Sequence, residues 1–180
     1  MADTMRSLAS ITTLLADNTT GAISPQDLRD ALIATVQPGH GEISITSSAA
    51  TTLGDTTTWV QVAGTYALSA SAMNWAMTQS GRLYYTGAAP RDCHIAASVS
   101  MTSAGTNDVL EWAIALDGTP LTPSIVQRAI ATGTDVGSTA LHAFTAISNG
   151  SYLTVMTRNT SAAANTTATT LNLFAMDMAS

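Results

Sequence analysis

Residues 94–116 read HIAASVSMTSAGTNDVLEWAIAL, and the alternation within them sets the fold class. Every second residue from Ile95 to Met101 is apolar, and the same holds from Leu110 to Leu116. A period of two is that of a β-strand with one buried face. Residues 105–108 place turn-forming side chains between the two runs. We therefore predict two strands that pair as a hairpin.

Runs of the same kind occupy most of the chain after residue 42, with turn signals between them. They cover residues 43–45, 59–62, 73–77, 83–85, 125–130, 141–147, 152–157 and 169–178. Two further hairpins are predicted, one around residues 79–81 and one around residues 149–150, an Asn-Gly pair. The count of about eight to ten strands is typical of a sandwich. The predicted fold is mainly β: an antiparallel jelly-roll β-sandwich over residues 43–180.

The last run, residues 169–178, is apolar on both faces. A strand of this kind must be covered on both sides, although a two-layer sandwich covers only one. We therefore predict that the second face meets a neighbouring subunit. The predicted interface residues are Leu171, Leu173, Phe174 and Met176.

Ahead of the β region, the sequence predicts a short helix. Ser24 is a preferred N-cap, and Pro25 has its φ angle already set for a first helical position. The apolar staple and stripe of this helix are Ile23, Leu28, Leu32 and Val36. About three turns of helix are unstable alone, so the stripe needs a partner surface, either in this chain or in another protein. Residues 1–36 are predicted to be an N-terminal arm and anchor helix, followed by a hinge at residues 37–42.

The composition restricts the classes of partner. The formal net charge is -6, the chain has no Lys, and its Arg residues are scattered, so nucleic acid is not an expected partner. Only 10% of residues are charged, which is typical of surfaces that lie against other subunits, although a secreted Thr-rich β protein has the same composition. We find neither a membrane-spanning run nor a signal peptide, so we expect no membrane insertion and synthesis in a cytoplasm.

The sequence lacks the patterns of catalytic and metal sites. It has no nucleophile elbow and no glycine-rich phosphate loop, and the lone Cys93 is expected to be a buried apolar residue. Asp108 and Glu111 flank a turn and are expected to be solvated. The three histidines show no ligand spacing: His40, His94 and His142. We predict a protein that is not an enzyme and has no cofactor or metal.

Aromatic residues leave open a carbohydrate-binding function. Rings that present a face to solvent stack on sugars, and the candidates are Trp59, Trp75, Trp112, Tyr84 and Tyr85. The alternation places Trp75 and Trp112 at core positions, so we rank this function second.

Two parts of the chain resemble known families. The segment DNTTGAISPQDLRDAL, residues 17–32, resembles one near the N-terminus of structural proteins of tailed bacteriophages. Residues 81–176 resemble a jelly-roll family of phage particles that is related to tumour necrosis factor and complement globular-head domains. The matching motifs are GRLYYTG (81–87), HIAASVSM (94–101), IALDGTPL (114–121), TGTDVGS (132–138), NGSYLTVMTRNTS (149–161) and TTLNLFAMD (169–177).

The resemblance implies a homotrimer with the first and last strands near the three-fold axis. It also implies a virion structural protein, made in the host cytoplasm. The expected role is that of a capsid decoration or head-fibre protein, which docks on another virion protein through residues 1–36. The alternative is a tail receptor-binding or adhesion protein that recognises a host surface carbohydrate.

Overall fold

The computed structural model describes Leu28 and residues 38–132 and 134–178. Within residues 38–132 and 134–178 the chain forms thirteen strands and one short 3-10 helix, Thr122–Ser124. The strands are β1 (His40–Ser48), β2 (Ala50–Thr51), β3 (Val60–Gln61), β4 (Gly64–Leu68), β5 (Trp75–Gln79), β6 (Arg82–Tyr85), β7 (Arg91–Ser103), β8 (Asp108–Leu116), β9 (Thr119–Pro120), β10 (Val126–Ile130), β11 (Gly137–Ile147), β12 (Tyr152–Asn159) and β13 (Thr166–Asp177).

The strands form two sheets that pack face to face. Sheet A has the order β11-β7-β13-β1-β4, with β2 beside β13. Sheet B has the order β10-β8-β12-β6-β5, with β3 beside β12 and β9 beside β8. All pairs are antiparallel. The predicted antiparallel β-sandwich is confirmed.

The core lies between the two sheets and follows the period-two pattern of the sequence. Ile95, Val99 and Met101 of β7 face inward, as do Trp112 and Ile114 of β8, and each is at most 2% exposed. Burial of side chains this large contributes roughly 1.5–3 kcal/mol each. The alternation that predicted these strands is therefore the alternation between core and outer face.

One predicted hairpin is present and two are corrected. β5 and β6 pair across residues 80–81, as expected. β7 and β8 do not pair, because β7 lies in sheet A and β8 in sheet B. β11 and β12 are divided between the sheets in the same way, although the chain turns at Gly150 with a positive φ of 85°. The inward side chains of consecutive strands face one another across the core, so these turns join layers and not neighbouring strands.

β1 begins at His40, inside the range that the sequence assigned to a hinge. Two backbone hydrogen bonds join His40 to Met73, and a Cβ atom at Gly41 would lie 2.5 Å from the Cβ of Trp75. Glycine therefore lets β1 pass close to Trp75. The compact unit that holds both sheets runs from Gly39 to Met178.

The predicted anchor helix lies outside the described residues, apart from Leu28. Leu28 is helical, and its exposed fraction is 54%. The anchor residues Ile23, Leu32 and Val36 are not described, so the helix stays a prediction.

Candidate subunit interface

The outer face of sheet A is the candidate site, and β13 lies at its centre. The side chains of β13 alternate across the sheet. Leu171 and Leu173 point inward, are 4% and 0% exposed, and belong to the chain's own core. Phe174 and Met176 are half-buried on the outer face. Of the four residues predicted for a subunit interface, Leu171 and Leu173 therefore pack in the core of their own chain. Only Phe174 and Met176 are placed where they can contact a neighbouring subunit.

Strand register adds two apolar residues to this face. Phe174 lies opposite Ala96 of β7, and Met176 lies opposite His94. His94 in turn lies opposite Phe144 of β11, whose exposed fraction is 61%. We call Ala96, Phe144, Phe174 and Met176 the sheet A patch. An exposed phenylalanine such as Phe144, surrounded by other apolar residues, is characteristic of an interaction surface.

The same face becomes polar away from the patch. Asn172, two residues before Phe174, lies between Ser44 of β1 and Ser98 of β7. Its side-chain amide donates to the carboxylate of Glu42, which is the cross-strand partner of Phe174. The apolar side chains are therefore concentrated at the end of the sheet where β1 begins and β13 ends.

Two histidines meet on this face, which the sequence did not predict. His94 and His142 present their Nε2 atoms to each other, and their ring centroids lie 4.4 Å apart. The residues are 48 positions apart and share no sequence spacing, because β7 and β11 are neighbours only in the folded sheet. Within the described residues, no three His, Cys, Asp or Glu side chains gather at one point.

The carboxylates of β8 are buried and not solvated, which corrects the prediction. Asp108 is 1% exposed and accepts a hydrogen bond from the Ser103 hydroxyl. Glu111 is 7% exposed and accepts from Gln127 Nε2 at 2.7 Å and from Arg158 Nε at 2.6 Å. Burial by itself would raise the pKa of the Glu111 carboxyl, but these hydrogen bonds and the Arg158 charge hold it below its usual value. Glu111, Gln127 and Arg158 all stand on strands of sheet B, whereas the Ser103–Asp108 hydrogen bond joins β7 of sheet A to β8 of sheet B.

Cys93 is fully buried, as predicted. Burial, reinforced by the nearby Asp177 and Asp92 charges, raises the pKa of its thiol to about 12. A thiol this hard to ionise is a poor nucleophile.

Most of the aromatic candidates for sugar stacking are used by the core. Trp75, Trp112 and Tyr85 are 4%, 0% and 2% exposed. The Arg158 guanidinium lies 4.8 Å from the ring centre of Trp59, a fourth candidate.

Tyr84 is half-buried on sheet B and packs against Tyr152, with ring centroids 5.3 Å apart. Arg82 lies 4.5 Å from the centre of the Tyr152 ring. Tyr84 and Tyr152 are therefore a half-buried pair of rings in contact on sheet B, and Trp59 is a third half-buried ring.

The comparisons with known proteins bear on the fold. No protein-family model and no curated protein sequence matches the chain. Among solved structures, murine APRIL at pH 5.0 is similar with a TM-score of 0.54 and 9% identity, over 79% of this chain and 100% of that one. The Eiger TNF of S. frugiperda is similar with a TM-score of 0.54 and 11% identity, over 79% of this chain and 94% of that one. The chain has a TNF-like jelly roll.

This TNF-like jelly roll confirms, at the level of the fold, the resemblance to tumour necrosis factor domains. The resemblance to phage virion proteins is not tested by these comparisons and stays a prediction. None of the described residues belongs to a helix long and apolar enough to cross a membrane.

Proposed function

We propose that this protein is a non-enzymatic virion structural protein that works as a homotrimer, with the outer face of sheet A at the contact between subunits. The observation that carries the proposal is the sheet A patch, above all Phe144 at 61% exposure. Burying such a patch in an interface stabilises the complex by roughly 25 cal/mol for each Å² of apolar surface that is removed from water.

The position of the patch favours association of identical chains. β1 and β13 are adjacent at the centre of sheet A, and Phe174 and Met176 stand on β13. The sequence resemblance implies that the first and last strands of this family lie near a three-fold axis. An apolar area on those strands is what such an arrangement requires, since a closed interface of identical subunits buries the same patch on each chain.

The role in the particle rests on the N-terminal segment. Residues 17–32 resemble a segment of phage structural proteins, and Leu28 within them is 54% exposed. We propose that residues 1–36 dock on another virion protein, with Ile23, Leu28, Leu32 and Val36 as the contact stripe. A trimeric body with a small docking segment corresponds to a capsid decoration or head-fibre protein.

Two experiments test this function. Sedimentation equilibrium of the full chain should give three times the mass of one chain, and a stable monomer would contradict the trimer. Electron microscopy of particles carrying the labelled protein should place it on the head. A chain that lacks residues 1–36 should still form a folded trimer but should be missing from particles. Early melting or aggregation of that truncated chain would instead show that the segment covers its own β-sandwich.

The alternative function is adhesion to a host surface carbohydrate. The Tyr84 and Tyr152 rings, half-buried on sheet B, are the aromatic surface that favours it. A glycan array probed with the full chain tests this alternative. Binding that disappears in Tyr84→Ala, in a protein that remains trimeric, would establish adhesion in place of the decoration role.

A further inference from the structure

The folded sheet creates a pair of facing imidazoles on its outer face. In the register of β7 and β11, His94 lies opposite Phe144 and His142 lies opposite Ala96, so the two histidines are diagonal neighbours. Their Nε2 atoms face each other, and the rings are inclined at 55° with centroids 4.4 Å apart. This geometry places two nitrogen donors at one point.

The neighbours of the pair leave both nitrogens free to act together. The cross-strand neighbours of the two histidines are Phe144, Met176 and Ala96, and none of these three carries a charge. His142 is exposed on β11, and His94 is half-buried. In a single chain the imidazoles are thus reachable from solvent, whereas in the proposed trimer they lie within the covered sheet A patch.

We propose that His94 and His142 form a two-histidine chelate for a divalent first-row transition-metal ion, of which Zn²⁺ is the representative. Neutral imidazole nitrogen suits this class of ion, whereas Mg²⁺ and Ca²⁺ prefer oxygen ligands. Two Zn–N bonds of about 2.0–2.1 Å at a tetrahedral angle place the nitrogens roughly 3.3 Å apart. Small rotations of the two rings open the pair to that separation, and water occupies the remaining coordination positions.

The proton balance of binding is simple. Two neutral rings share one hydrogen between their Nε2 atoms, so one ring donates and the other accepts. When the ion binds, that hydrogen passes through solvent to Nδ1 of the donating ring, so both Nε2 atoms offer a lone pair and no proton is gained or lost.

The test is calorimetric titration of the full chain with ZnCl₂, followed by titration with MgCl₂. We expect one Zn²⁺ per chain, reversal by a chelator and no binding of Mg²⁺. His94→Ala and His142→Ala should each weaken Zn²⁺ binding by at least about tenfold. His40→Ala is the matched control, because His40 lies on the same face of sheet A on β1, two strands from β7. Its affinity should equal that of the unchanged chain.

A second measurement, by NMR on the unchanged chain, does not depend on whether the alanine variants fold. In the unchanged chain, Zn²⁺ should shift the imidazole proton resonances of His94 and His142 and leave those of His40 in place. The chelate is refuted if neither the unchanged chain nor Phe174→Ser, which is expected to leave the sheet A patch uncovered, binds Zn²⁺ at up to about 1 mM. It is also refuted if both alanine variants bind like the unchanged chain. Because the chelate lies within one chain, a monomer that binds Zn²⁺ would reject the proposed trimer and leave the chelate standing.

Discussion

The substitution Phe174→Asp distinguishes the folding of a single chain from the association of several chains. Phe174 points away from the core, so the substitution removes no core contact. It places a carboxylate in the sheet A patch, directly opposite Glu42 of β1. The expected result is a folded chain that no longer forms a trimer.

The magnitude follows from burial at the proposed interface. Full burial of a Phe side chain contributes roughly 1.5–3 kcal/mol, but Phe174 is already half-buried in one chain, so covering the rest contributes roughly 0.5–1 kcal/mol per chain and about 1.5–3 kcal/mol per trimer. Losing that free energy lowers the association constant by about one to two orders of magnitude, and the cost of removing the new carboxylate from water lowers it further. Within one chain, the new like-charge pair with Glu42 costs about 0.2–1 kcal/mol. The effect on association therefore exceeds the effect on folding.

Sedimentation equilibrium at micromolar concentration measures the association, and urea unfolding measures the stability. Ala129→Asp is the control, because it puts the same charge on an exposed outer position of β10 in sheet B and should leave the trimer intact. Phe174→Ser, which adds no charge, should also weaken the trimer if Phe174→Asp proves too unstable to study. If both Phe174 variants form trimers with the association constant of the unchanged chain, the proposed interface is refuted.

Three further predictions concern stability. Leu173→Ala, which truncates a core side chain with 0% exposure, should lower the free energy of unfolding by about 2–5 kcal/mol in a urea titration. Gly41→Ala should lower the melting temperature, since the new Cβ would lie 2.5 Å from the Cβ of Trp75, whereas Gly54→Ala, which has open space, should not. The depressed pKa of Glu111 means that its ionised form stabilises the fold above its ordinary pKa of 4.5, and that this contribution is lost as the pH falls through the lower folded value. The stability difference between the unchanged chain and Glu111→Gln should therefore shrink as the pH is lowered below about 4.5.

Local pattern was enough to predict the class of the fold. The alternation of apolar and polar residues is visible within the sequence of a single strand. On that basis Ile95, Val99 and Met101 are predicted to face inward, and they do. The buried state of Cys93 was also predictable, because the residue follows the same inward parity on β7. Pattern failed for Asp108, which is buried with Ser103 across the turn between β7 and β8, and for Glu111, whose donors Gln127 and Arg158 are 16 and 47 residues away in sequence.

The same pattern determined that β13 is apolar on both faces, but it left open which residues face the core. That assignment needs the position of β13 within sheet A, and it gives Leu171 and Leu173 to the core and Phe174 to the outer face. Tertiary structure also decided strand partners: consecutive strands such as β7 and β8 lie in opposite sheets, because their apolar faces bury each other across the core. The meeting of His94 with His142 depends on the pairing of β7 with β11, strands that no local rule brings together. Sequence thus determines periodicity and turns, which are properties of adjacent residues, whereas non-local pairing is chosen by the burial of the whole chain.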